Sequence, residues 1–204
     1  MDLRTTAASL LVLAVGVTLL TLATDRFQAF TTETARRVVV SQHPIALPDM
    51  MIETQTGEQI NLTDLRGRWL LIDFIYTRCT TLCLASGGEF VQLQNLLSEP
   101  LSRGAVQLLS ISFDPEYDQA PQLAMYLRRF RNRGPGWLAA RPVDAVALDL
   151  LKSSFGITVI PDRFGGYTHN AAIHIVDPHG RLVDILDMGN PGRVARAILQ
   201  AGAL

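Results

Sequence analysis

The chain's only two cysteines, Cys79 and Cys83, stand four positions apart in "DFIYTRCTTLC", directly behind a run of apolar residues. Three chemistries use such a pair: a structural disulfide, a dithiol redox couple and a clamp for a soft metal ion. A Cys79–Cys83 disulfide would close a loop of five residues. Loop-closure entropy gives so short a ring only ~2 kcal/mol, below the ~3 kcal/mol of a fifteen-residue loop. A stabilising staple gains more between distant segments, so the spacing argues for chemistry. At a helix N-terminus, positions four apart share a face and the two sulfurs can meet at one point. Backbone N–H groups there favour thiolate, which is both nucleophile and metal ligand. The usual redox spacing is C-x-x-C. The wider C-x-x-x-C still permits a disulfide and also suits a bite around a soft ion. Two cysteines alone leave the redox and metal readings open.

A third ligand would separate them, and the chain offers four histidines. His179 falls in a hairpin turn and reads as solvated. His43, beside Pro44, reads as a rim residue. His174 alternates with Ala172 and Val176, as a packed strand residue does. His169 ends the polar, glycine-containing "DRFGGYTH", immediately before that strand, where a thioredoxin-like fold turns towards its thiols. Met50 and Met51 carry sulfur as well, but methionines entering a strand usually belong to the core.

The elements that must position these residues follow from periodicity and turn chemistry. "PDMMIETQTGEQINLTDLRGRW" predicts a hairpin turning at Gly57. Residues 69–76, "WLLIDFIY", form a near-continuous apolar run, as a central buried strand requires. Apolar residues at helical spacing from Ala85 to Leu97 predict a helix ending at Pro100. Residues 105–113 predict a second strand, running into "DPEYD". A helix opens at Pro121 and closes at Gly134, with Arg128, Arg129, Arg131 and Arg133 clustered at its end, where cations offset the dipole. Residues 143–155 predict a further helix, "NAAIHIVDPHGRLVDILD" a hairpin, and "PGRVARAILQAGA" a last helix. The order describes an α/β domain, a thioredoxin-like mixed sheet flanked by helices. The thiol pair falls at the carboxyl end of the first central strand, where open α/β sheets place their chemistry.

Composition bounds the rest. The chain has 204 residues, 48% hydrophobic and 18% charged, which supports a packed core and excludes wholesale disorder. A net charge of −1 without a basic block argues against nucleic acid as a partner. Residues 5–24 contain no charge and as a helix span about 30 Å, the thickness of a bilayer's hydrocarbon core. This predicts an N-terminal transmembrane helix, with a cleaved signal peptide as the alternative because the most apolar part is short. The predicted organisation is a membrane anchor over 1–24, a tether over 25–42 and the folded domain over 43–204. Export of the folded part would put both thiols in an oxidising compartment.

Three segments, "GEQINLTDLRGRWLLIDFIYTRCTTLC", "LLSISFDPEYDQAP" and "YTHNAAIHIVDPHGRLVD", together resemble the Sco/SenC family of membrane-anchored, copper-binding, thioredoxin-like proteins. They come in the family's order, with 86 residues from Cys83 to His169. The resemblance implies that Cys79, Cys83 and His169 bind copper and deliver it to the dinuclear copper site of cytochrome c oxidase during assembly. Its copper-site subunit would be the main partner, and other copper chaperones or thiol oxidoreductases further ones. It places the domain on the periplasmic side of a bacterial inner membrane or an equivalent compartment. Two thiolates and one imidazole suit Cu(I) and, with a further oxygen ligand, Cu(II). Structural zinc would want a fourth protein ligand. Asp114 matches an acidic position of the family near the site, where it would support the ligands or dock a partner; a turn-forming Asp before Pro115 is the simpler account.

One departure stands out. The family reads C-P-x-x-C-P, and Thr80 and Leu84 occupy the proline positions here. A less rigid loop pre-organises the ligands less. This keeps alive an enzymatic alternative, a membrane-tethered thiol–disulfide oxidoreductase in which one of Cys79 and Cys83 attacks and the other resolves. That activity would not need His169. Peroxide reduction by one activated cysteine would want more around it than Thr77 and Arg78.

Overall fold

The computed structural model describes residues 2–24, 31–79, 82–132, 134, 136–163 and 165–202, excluding the side chains of Leu3, Leu82, Cys83 and Leu84. The chain divides into two units, Met1–Pro44 and Ile45–Leu204.

In the first unit, helix α1 (Leu3–Ala23) presents its leucines and valines from Leu10 to Leu22 outward on every side. Residues Arg4–Ala23 have a mean hydropathy of 2.2, long and apolar enough to cross a membrane. The Thr18 and Thr21 hydroxyls donate to the Ala14 and Val17 carbonyls at 2.8 and 2.7 Å, so neither needs water. Helix α2 (Thr32–Gln42) follows where the composition predicts only a tether. Its signals are local: Thr31 caps it by accepting the Thr34 N–H, and Glu33 pairs with Arg36 at 2.8 Å and Arg37 at 3.1 Å.

The second unit runs β1 (Ile45–Ala46), β2 (Met51–Thr54), β3 (Gln59–Asn61), β4 (Trp69–Ile75), α3 (Leu82–Leu96), α4 (Ser98–Ser102), β5 (Val106–Ser112), α5 (Ala120–Arg129), β6 (Trp137–Pro142), α6 (Ala145–Phe155), β7 (Val159–Pro161), β8 (Tyr167–His169), β9 (Ile173–Val176), β10 (Arg181–Leu186) and α7 (Pro191–Gln200). Eight of the described strands form one mixed sheet in the order β1-β10-β9-β4-β5-β6-β2-β3. Parallel β4, β5 and β6 make its centre, with antiparallel pairs on both flanks. Both faces of the centre are covered, so β4 and β5 are apolar nearly throughout rather than alternating. This is the mixed sheet flanked by helices that the sequence predicts.

Three details differ. Strand β6, unassigned from sequence, joins β5 to the β2–β3 hairpin, and its run is masked by Arg141 and Pro142. Helix α5 stops at Arg129 rather than Gly134, with Arg131 in the left-handed region at φ 52°. Pro100 lies inside short α4, so the break in the helical run falls at Leu97.

Helix α3 carries two adjacent glycines with opposite surroundings. A Cβ on Gly87 would lie 2.2 Å from the Phe130 ring, whereas nothing lies within 4 Å of one on Gly88. Gly87→Ala is expected to lose about 1–3 kcal/mol through overpacking. Gly88→Ala is expected to gain about 0.5–1 kcal/mol from helix propensity. Urea denaturation of the two variants checks the pair, and a shared sign would contradict this packing of α3 on Phe130.

Candidate metal centre

The carboxyl end of β4 carries the motif, and a buried carboxylate fixes where it points. Asp118, fully buried, accepts the Thr77 N–H at 2.9 Å, the Thr77 hydroxyl at 2.5 Å and the Ser112 hydroxyl at 2.5 Å. Ser112 ends β5 and in turn accepts the Asp114 N–H at 3.0 Å. The carboxylate thus ties the two strand ends together just before the first thiol. Burial raises its pKa, opposed by the Ser112 and Thr77 hydrogen bonds. The chain then turns so that the Cys79 N–H donates to the Tyr76 carbonyl at 3.1 Å. Cys79 is 5% exposed. Cys83 follows at the second position of α3, on the predicted helix N-terminal turn; its side chain lies outside the described residues. So do Thr80 and the Leu84 side chain, at the two proline positions.

His169 reaches this region from the far end of the sequence. It closes β8, which pairs with β7 in a separate two-stranded sheet, rather than lying in a loop. Four rings join the segments: His169 lies 4.9 Å from Phe113 and 6.4 Å from Tyr76, and Tyr167 lies 5.2 Å from Tyr76 and 5.7 Å from Phe113. The Tyr167 N–H also donates to the Tyr76 hydroxyl at 3.3 Å. The cluster therefore holds the start of the thiol loop against the His169 strand. His169 is 8% exposed, and burial lowers its pKa despite a backbone hydrogen bond at Asn170. Its Nδ1 lies 3.2 Å from the Asn170 carbonyl, while Nε2 has no hydrogen-bond partner among the described residues. A neutral imidazole with an unclaimed lone pair is the form that binds metals.

Asp114 is more than a turn residue. Its carboxylate pairs with Arg78 at 2.6 Å and accepts from the Tyr167 hydroxyl at 3.5 Å, linking the thiol loop to the histidine strand. The Arg78 guanidinium also stacks 4.4 Å over the Tyr117 ring. Sequence reasoning missed Asp118, Tyr76 and Phe113. The second Asp of "FDPEYD" was visible, but nothing in the sequence said that it would turn inward onto Thr77.

The other candidates lie elsewhere. His174 is fully buried, edge-on to Phe74 at 5.0 Å and Phe155 at 5.8 Å, a core residue as predicted. His43 and His179 are exposed, Met50 is buried and Met51 exposed. Among the described residues, no three His, Cys, Asp or Glu side chains form a group able to hold a metal. Beneath the motif, Asp73 of β4 is 2% exposed and accepts a short hydrogen bond from Ser86 of α3. Burial raises its pKa to about 6, against the lowering effect of the Ser110 and Ser86 hydroxyls.

The fold, with its cysteine motif at the carboxyl end of β4, defines a thioredoxin-like α/β domain. A family model described as SCO1/SenC matches residues 47–202. The chain belongs to the SCO1/SenC family. The mitochondrial SCO2 homologue of Danio rerio is 28% identical over 177 residues, covering 85% of this chain and 61% of the relative; the match spans less than two thirds of that protein's length. The solved structure of Arabidopsis thaliana ScoI with copper bound superposes with a TM-score of 0.65 at 18% identity, over 76% of this chain and 99% of that one. That of BsSco, described as having a disulfide switch and as a member of the Sco family of cytochrome c oxidase assembly proteins, superposes with a TM-score of 0.66 at 21% identity, over 78% and 94%. These likenesses establish the fold.

The raised Asp73 pKa carries a signed prediction. The folded state holds this proton more tightly than the unfolded chain, so the stabilisation is complete below the unfolded value near 3.8 and is lost as pH rises through about 6. Between pH 4 and pH 7.5 the stability difference between wild type and Asp73→Asn is expected to shift by roughly 2–3 kcal/mol in favour of the variant. Denaturant titrations at the two pH values check this, and parallel pH profiles would contradict it.

Proposed function

We propose that this chain is a membrane-anchored copper metallochaperone, in which Cys79, Cys83 and His169 hold one copper ion and pass it to the dinuclear copper site of cytochrome c oxidase during assembly. Membership of the SCO1/SenC family supports the class, and ScoI of Arabidopsis thaliana with copper bound is a relative in fold. The observation that carries the reading is His169. A buried, neutral imidazole, with one nitrogen unclaimed among the described residues, is held by an aromatic cluster against the strand end that leads into Cys79. Two thiolates with one imidazole are a soft, low-coordinate set that favours Cu(I) and accommodates Cu(II) with an added oxygen ligand. The copper leaves by ligand exchange, each thiolate releasing it stepwise to thiols of the oxidase's copper-site subunit. Helix α1 anchors the protein and residues 43–204 form the exported copper-binding domain, on the periplasmic side of a bacterial inner membrane or its equivalent. Asp114 supports the site by bracing Arg78 against Tyr167.

The test is a Cu(I) titration of the reduced protein against a competing chelator, beside Cys83→Ser and His169→Ala. One tight equivalent is expected, weakened at least about tenfold in each variant, the loss of roughly one ligand-strength interaction. Binding indifferent to His169 would overturn the three-ligand reading and return the cysteines to thiol–disulfide exchange.

A further inference from the structure

A small cavity of about 10 Å³ lies against the His169 imidazole, between Asp73, Ser86, Phe74, Ala172 and Met188. That is about the room one water molecule needs. Two polar atoms of its lining residues, Asp73 Oδ1 and His169 Nε2, have no hydrogen-bond partner among the described residues. They belong to residues 2% and 8% exposed, from strands β4 and β8. Leaving such an atom unsatisfied costs about 1–3 kcal/mol.

The hydrogen-bonding roles decide what fits. A backbone carbonyl only accepts, so the contact with Asn170 O puts the ring proton on His169 Nδ1. Nε2 of this cavity-lining residue is therefore an acceptor. Asp73 Oδ2 already accepts from Ser86, and Oδ1 of the carboxylate is an acceptor too. Two acceptors cannot satisfy each other; a molecule with two donors placed between them can. We propose that one buried water fills this cavity and donates to both Asp73 Oδ1 and His169 Nε2, which makes Asp73 the positioning residue of His169.

The consequence rests on the copper reading of the site. In the metal-free protein the imidazole is engaged at both nitrogens, Nδ1 by Asn170 and Nε2 through the water by Asp73. Copper has to displace one of these engagements before His169 becomes a ligand. The bridge opposes premature capture and its loss frees the ring.

The experiment is ¹⁵N NMR of the metal-free full chain in detergent micelles, labelled at its histidines, at pH 7.5. His169 is expected as the Nδ1–H tautomer, with a hydrogen-bonded Nε2 shift and a cross-peak from its ring to a long-lived water. Asp73→Leu, which fills the cavity, is expected to lose that cross-peak and move the Nε2 shift; Asp73→Asn, which keeps a polar group there, is expected to retain the cross-peak. A wild-type His169 without a bound-water cross-peak overturns the proposal, and this result needs no variant to fold. A His169 Nε2 shift unchanged in Asp73→Leu overturns it as well. Cu(I) competition then reads the positioning role. Asp73→Leu is expected to bind about tenfold more tightly, the weight of one lost competing hydrogen bond. Unchanged or weaker binding would overturn that role. A wild type that shows the water bridge but takes up no Cu(I) would overturn the copper reading and leave the bridge standing.

Discussion

Asp118 accepts three hydrogen bonds from a fully buried position, two from Thr77 and one from Ser112. Everything proposed for the thiols depends on that carboxylate. It closes the gap between the ends of β4 and β5, the two strands whose continuous burial makes the centre of the sheet. Without it the end of β4 would leave a backbone donor and a hydroxyl unsatisfied, and Cys79 would start from an undefined direction. The thioredoxin-like sheet supplies a rigid platform, and Asp118 turns its edge into a defined launching point for the loop.

From that fixed edge the surroundings of His169 are assembled chiefly by ring packing. Tyr76 and Phe113 leave the two strand ends and receive Tyr167 and His169 between them. Edge-to-face ring contacts of this kind are worth about 0.5–1.5 kcal/mol each beyond their burial. They bring a residue of the 160s against the 70s although β8 pairs with β7 in a sheet of its own. Asp114 adds a polar brace across the same gap, from Arg78 to Tyr167. Burial lowers the His169 pKa, so the packing that positions the ring also favours its neutral form.

Much of this was legible in the sequence because strong local patterns agree with the final fold. The apolar runs around Leu71 and Leu109 announce buried parallel strands, and "DPHG" announces a hairpin. The C-x-x-x-C motif and the isolated His169 stand out because their residue types are rare in this chain. The misses have physical causes. Strand β6 is short and carries Arg141, whose charge is neutralised by Glu53 of β2 only once the sheet forms. Helix α2 draws its order from a cap and two ion pairs, which composition alone does not register. Asp118 reads as a loop residue because its two partners, Thr77 and Ser112, come from two other segments. Asp73 reads as a flaw in an apolar strand until Ser86 and the cavity beside His169 are seen together.

The central claim is that two thiolates and one imidazole, separated by 86 residues of chain, meet on a single copper ion. X-ray absorption at the copper edge of the Cu(I)-loaded full chain tests it most directly. The account predicts two sulfur neighbours and one nitrogen neighbour around each copper, with the nitrogen signal abolished in His169→Ala and one sulfur removed in Cys83→Ser. A nitrogen neighbour that survives His169→Ala, or a shell of sulfur alone in the wild type, would contradict it.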